Sequence, residues 1–241
     1  MLTAGISSPE PGASEEKPEA EQRAPPRLWV TVAVPVAVVA AVITLGSTPA
    51  LGEHAATAIA LILMGASWSE FGRRGTAPHW KATALSALDG VAAGAIILPL
   101  FVLALDVWAA ARGMRVEWRS EWPPGEMGKL LAWLLVLAAA EEMFFRGWLQ
   151  ARLTRHRPPR RVLLGARVGW NIPLAAAAFA LGHVGIQGAA GLLVFFPGLV
   201  FGWLWERRRS LVGPVVFHAL SNALVLVLIT NFTRLMGVYR S

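Results

Sequence analysis

The sequence predicts an all-α fold, a polytopic membrane helix bundle of about seven (six to eight) transmembrane spans. Of its 241 residues 55% are hydrophobic and 15% charged, and the mean hydropathy is +0.52, too apolar for an ordinary soluble domain. Several segments approach the ~20 apolar residues needed to cross a bilayer. The basic residues, which give a net charge of +7, cluster in short connections between apolar runs, the arrangement that sets positive-inside topology. That placement excludes the nucleic-acid binding that a pI near 11.1 would suggest in a soluble chain.

Residues 1–27 are rich in Pro, Glu, Ser and Ala without apolar periodicity and predict a disordered cytoplasmic tail. They are not a signal peptide, because the acidic residues are misplaced and the apolar run that follows is too long. The remainder, 28–241, reads as one transmembrane helical domain with spans at about 28–46, 52–69, 83–110, 129–151, 171–187, 191–205 and 211–231. The third span contains Pro99, where a bend is expected. Arg73, Arg74 and Lys81 mark one side of the membrane. The arginines at 152, 155, 157, 160 and 161, then 207–209, mark the same side. The bias places the N-terminus in the cytoplasm, and the short-looped, Ala/Gly/Arg-rich chain suggests a bacterial inner membrane. Trp118 and Trp122 beside Pro123 and Pro124, and Trp148, Trp203 and Trp205 at the other boundary, read as interfacial aromatic belts. Gly198 and Gly202 form a GxxxG, read as a close packing face. No cysteine is present, so disulfides, thiol nucleophiles and Cys-based metal sites are excluded. Nor is there a long internal repeat of the transporter type.

Leu130–Arg152, LLAWLLVLAAAEEMFFRGWLQAR, is the stretch that carries chemistry. It places Glu141, Glu142 and Arg146 in the middle of an apolar run. An ionisable side chain there costs about 2.5–3.5 kcal/mol on insertion scales, and such residues are functional candidates. Glu142 and Arg146 stand at i,i+4 with the acid on the N-terminal side, the better orientation for an ion pair. Glu141 points about 100° further round and has no evident counter-charge. Desolvation then favours its neutral form, as a general acid–base group requires. A buried Glu–Arg–Glu cluster that only pins helices together is the structural alternative.

Downstream, Phe179-Ala-Leu-Gly-His183 puts a histidine in the fifth span, and His218-Ala-Leu-Ser-Asn222 puts His and Asn on one face of the seventh. These polar groups lie near one depth if the fifth span begins at Asn171 ± 2. Asn171 would then serve as N-cap, Pro173 would be tolerated in the first turn, and Arg160–Trp170 would be an interfacial segment. Asp89 and Asp106, toward the ends of the third span, read as structural. Asn231-Phe-Thr233 matches a glycosylation acceptor, a short motif of low specificity.

EEMFFR, FALGH and HALSN, in that order, resemble the three motifs of the CAAX prenyl endopeptidase and bacteriocin-processing family, also called the Abi or CPBP family. The resemblance covers about Lys129–Thr230 and puts the protease core at about 129–231. It implies a multi-helix glutamate-type intramembrane protease of the CAAX prenyl protease type II kind. Glu141 would activate water, Glu142 with Arg146 would brace the site, and His183 would orient the water or shuttle a proton. His218 with Asn222 would form an oxyanion hole. No cofactor is then expected. The alternative is a zinc ion held by Glu141, Glu142, His183 and His218, a plausible ligand set. The implied partner is a membrane-anchored substrate protein cut in its C-terminal tail, possible relatives including the myxosortase-like group that trims sorting tails. A non-catalytic immunity or scaffold protein and a proton-coupled transporter are the competing functions.

Overall fold

The computed structural model describes residues 27–46, 54–71, 80–113 and 127–235. The expected tail, Arg73, Arg74, and the loop holding Trp118, Trp122, Pro123 and Pro124 lie outside them. The fold is helical: α1 (Leu28–Gly46), α2 (His54–Phe71), α3 (Trp80–Ala111), α4 (Met127–Glu142), a π-helical segment (Met143–Gln150) running into α5 (Ala151–His156), α6 (Asn171–Gln187), a 3-10 turn (Gly188–Val194), α7 (Phe195–Arg208) and α8 (Val212–Leu235). Every predicted span has its helix. Two of them, Trp80–Ala111 and Gly188–Arg208, are long and apolar enough to cross a membrane by length and composition alone. The apolar stretches of α1, α2, α6 and α8 are shorter, Leu28–Thr44, Thr57–Trp68, Asn171–Gly185 and Val212–Leu226.

α3 continues through Pro99 as one helix. Leu88, Ile96, Leu100, Leu103 and Val107 are exposed along its outer face, as a lipid-facing surface requires. Trp80 and Trp108 near its two ends are also exposed. At 1.5 Å per residue they stand about 42 Å apart, the thickness of a bilayer with its headgroup layers. Lys81 lies over the Trp80 ring and Arg112 over Trp108. These tryptophans, with the exposed Trp29, Trp68 and Trp170, fill the interfacial role that the sequence assigned to Trp148 and Trp205. Those two are core residues, 2% and 1% exposed. Trp148 stacks on Phe144 at 5.5 Å, and Arg152 and Arg209 cover the rings of Trp148 and Trp205. An arginine beside a tryptophan looks interfacial in sequence, but here the cation lies against the face of a buried ring.

Between α5 and α6 the chain forms a small antiparallel hairpin, β1 (Arg161–Leu163) and β2 (Ala166–Val168). Its two-residue turn has Leu164 at φ 49° and Gly165 at φ 80°, the left-handed pair that a type I′ turn demands. Trp203 donates to the Leu163 carbonyl at 3.0 Å, and Arg207 donates to that of Leu164. α6 starts at Asn171 as expected, but Asn171 is not its cap. The capping position is Trp170, and the Asn171 amide donates to Glu206 at 2.6 Å and to Thr154 at 2.9 Å.

Small residues set the helix crossings. A Cβ on Gly90 would meet the Gly213 carbonyl at 2.4 Å, and one on Gly213 would meet the Ser86 carbonyl at 2.6 Å. The Ser86 hydroxyl accepts from the Gly213 N–H, so α3 and α8 touch backbone to backbone. Asp89 accepts from Nε of both Arg207 and Arg208. It is a structural tie between α3 and the end of α7, as read. At the centre, Phe144, Phe145, Phe179, Phe201 and Phe217 are buried around the π segment, which packs against α2, α4, α6 and α7.

Candidate active site

Three polar contacts join the central helix to α7 at one constant spacing. Arg146 Nη2 donates to the Gly198 carbonyl at 2.9 Å, Gln150 Nε2 to the Gly202 carbonyl at 3.0 Å, and Thr154 Oγ1 to Glu206 at 3.0 Å. Each pair is 52 residues apart, so the two helices run parallel with matched rise. A four-residue repeat drifts about 40° per step on a regular α-helix. The wider π turn, with i→i+5 bonding, drifts the opposite way and holds the stripe facing α7. The two glycines make room. A Cβ on Gly202 would stand 2.8 Å from the Gln150 oxygen, and one on Gly198 would stand 3.1 Å from Ala176. The GxxxG is thus a packing face, and its carbonyls also serve as acceptors for buried polar side chains.

Glu142 and Arg146 have no exposed side-chain surface and form the ion pair the spacing predicts, Nη1 to Oε1 at 3.2 Å. The guanidinium lies 4.9 Å from the ring centres of both Phe179 and Phe201, a desolvated setting that strengthens cation–π attraction. His218 bridges both acids, its Nδ1 2.8 Å from Glu142 Oε1 and its Nε2 3.3 Å from Glu141 Oε2. Glu141 therefore has a neighbour that its own helix could not reveal. With an imidazolium at 218, two carboxylates face two cations and the cluster is neutral. Glu141, 12% exposed at its side chain, is the more open of the two acids. The imidazole stacks on Phe201 at 4.6 Å and meets Phe179 edge-on at 5.6 Å, so its ring plane is fixed.

His183 is half-buried and approaches the cluster through Phe179, whose ring centre is 4.4 Å from its own. Its Nδ1 lies 3.0 Å from the Phe179 carbonyl. An N–H there leaves the Nε2 lone pair free to accept. Gly191 of the 3-10 turn crosses directly over the His183 backbone, where a Cβ would stand 2.5 Å away. Gly188 (φ 62°) makes the reversal that allows it. Asn222 is half-buried on α8, one turn beyond His218, with no hydrogen bond among the described residues. The structure thus joins Glu141, Glu142, Arg146 and His218 in direct contact, sets His183 behind one shared ring, and leaves Asn222 one helical turn from His218 without a side-chain contact to the cluster among the described residues.

The four-ligand zinc set is not assembled. Among the described residues no three His, Asp or Glu side chains converge as metal ligands. Both His218 nitrogens face carboxylates, and Glu142 Oε1 is shared between Arg146 and His218.

A second buried cluster was not singled out from the sequence. Glu206, 4% exposed, accepts from Gln150, Thr154 and Asn171 and pairs with Arg209 at 2.6 Å. Residues 142, 146, 150 and 154 are polar at four-residue spacing, a signal that could have found Gln150 and Thr154. Glu206, directly before three arginines, reads as part of a charged loop.

Residues 123–224 match a family model described as Type II CAAX prenyl endopeptidase Rce1-like. No curated protein and no solved structure matches the chain.

Proposed function

We propose that this protein, whose residues 123–224 match the family model of Rce1-like type II CAAX prenyl endopeptidases, is a glutamate-type intramembrane endopeptidase. It hydrolyses a peptide bond in a membrane-embedded or membrane-proximal segment, the C-terminal tail of an anchored substrate protein. The observation that carries this reading is the His218 bridge between Glu141 and Glu142. Glu142, held by Arg146, fixes the imidazole through Nδ1 and aims Nε2 toward the more open acid.

Glu141 takes a proton from water as the water oxygen bonds to the scissile carbonyl carbon. As Glu141 takes up the proton, the His218 Nε2–H turns from it to the developing oxyanion, which also accepts from the Asn222 amide, and His183 Nε2 accepts from the attacking water and holds it. Glu141 then passes its proton to the amide nitrogen as the C–N bond breaks, releasing a carboxylic acid and an amine, between which the second water proton moves to leave carboxylate and ammonium. Water is both nucleophile and proton source, so the balance closes. Each oxyanion donor is worth about 2.7–4 kcal/mol in measured cases. Asn222→Ala is therefore expected to lower turnover about 100–1,000-fold with little change in stability, checked by single-turnover cleavage in proteoliposomes.

The arginine bias supports a cytoplasmic N-terminus, the short-looped, Ala/Gly/Arg-rich composition supports a bacterial inner membrane, and the tail-trimming chemistry would fit a myxosortase-like role. The test is mass spectrometry of membrane-protein C-termini from cells with the wild-type protein and cells with Glu141→Gln. One terminus shortened only by the wild type is expected. Identical termini, with the protein folded in both, would sink the reading.

A further inference from the structure

The hairpin Arg161–Val168 separates two cavities of opposite character. On one side is a cavity of about 840 Å3 lined by Arg157, Arg160, Arg161 and Trp170. On the other is a cleft of about 760 Å3 between α3, α6 and α7, lined by Ile96, Ile97, Leu163, Leu164, Leu199 and Val200. Val168 and Gly169 line both. The two cavities therefore share a wall at these residues. The cleft runs from the Asp89–Arg207 pair to Ile97 and Leu199, about 12 Å at the helical rise.

Among the described residues, the arginines around the first cavity are not engaged elsewhere. Arg207 and Arg208 pair with Asp89 and Arg209 with Glu206. Arg157, Arg160 and Arg161 are exposed and have no carboxylate partner among the described residues. The hairpin tip is also unusual for a loop at the basic end of a bundle, with Val162, Leu163 and Leu164 being 71%, 56% and 74% exposed. Apolar side chains at such exposure, flanked by arginines and an exposed Trp170, suit the boundary between headgroups and acyl chains.

We infer that this end of the bundle is a binding site for an anionic phospholipid. Its phosphate sits among Arg157, Arg160 and Arg161, and one acyl chain crosses the Val168–Gly169 ridge into the apolar cleft. Only a ligand with an anionic head and a long apolar tail, joined within a few ångströms, matches both cavities at once. Basic pockets at the ends of transmembrane helices take such headgroups. The lipid would dock on α3, α6 and α7 at the site's basic end, independently of the hydrolytic chemistry.

The test is native mass spectrometry of the full-length protein in neutral detergent with dioleoylphosphatidylglycerol or dioleoylphosphatidylcholine. One phosphatidylglycerol is expected to stay bound where phosphatidylcholine does not. The Arg157→Gln/Arg160→Gln/Arg161→Gln protein should lose about 100-fold in affinity, since each basic residue near anionic lipid is worth about fivefold. Ala92→Trp, which fills the cleft from an exposed position on α3, should weaken retention without removing a charge. Arg167→Gln removes an arginine outside both cavities and should retain the lipid. Glycerol 1-phosphate should fail to displace it. Equal retention of the two lipids, retention by the triple variant, loss on Arg167→Gln equal to that of the triple variant, or displacement by the headgroup alone would overturn the inference. Thermal unfolding of each variant in the same detergent separates lost binding from lost fold.

Discussion

Glu141→Gln is expected to lower peptide hydrolysis by about 100–10,000-fold, the range assigned to a positioned general base, while leaving the melting temperature within a few degrees of wild type. Glutamine has the shape of glutamate, and its amide oxygen still accepts from His218 Nε2. What disappears is the capacity to take a proton from water. The fold should tolerate the change because Glu141 retains some exposure and its contact to His218 is the longer of the two, 3.3 Å against 2.8 Å. Single-turnover cleavage beside a thermal melt decides the matter. Full activity would remove Glu141 from the chemistry, and a protein that fails to fold would place it with the scaffold. Substrate flux that dies with Glu141→Gln, with no cleavage by the wild type, would mark a proton-coupled carrier instead.

What the sequence disclosed follows the reach of a helical repeat. The ends of α1 and the start of α6 were legible from apolar runs bounded by Arg27 and Asn171. The Glu142–Arg146 pair was legible because i,i+4 residues on one helix must meet. His218 as the bridge was not legible, since 76 residues separate it from Glu142 and only the packing of α8 against α4 brings them together. The same holds for the ladder from Arg146, Gln150 and Thr154 to α7. Each helix shows its own four-residue spacing, and only the fold shows that the spacings interlock. The burial of Trp148 and Trp205 was misread because composition near a membrane end favours the interface. The hairpin was read as an interfacial segment without its strand pairing, which depends on left-handed backbone at Leu164, a residue with no intrinsic preference for it.

Arg146→Met should destabilise the fold by about 3–5 kcal/mol, the cost of breaking a fully buried ion pair by removing one partner. Glu142 would be left 0% exposed without its guanidinium, and the Gly198 carbonyl would lose the Nη2 donor. Arg146→Lys should recover only part of this, because an ammonium on a single stem lacks the fork that reaches Glu142 and Gly198 together. The informative variant is Glu142→Gln/Arg146→Met. It removes the stranded charge, so its melting temperature should rise well above that of Arg146→Met, and the coupling in the double-mutant cycle measures the pair. Its activity should stay low, because His218 Nδ1 then faces a neutral amide that no guanidinium holds in place, and the imidazole loses the anchor that aims Nε2 at Glu141. Recovery of stability without recovery of cleavage separates the two duties of Glu142, balancing a buried cation and holding the imidazole that faces Glu141. If cleavage returned together with stability, the pair would be structural only, and Glu141 would need a different orienting partner for His218.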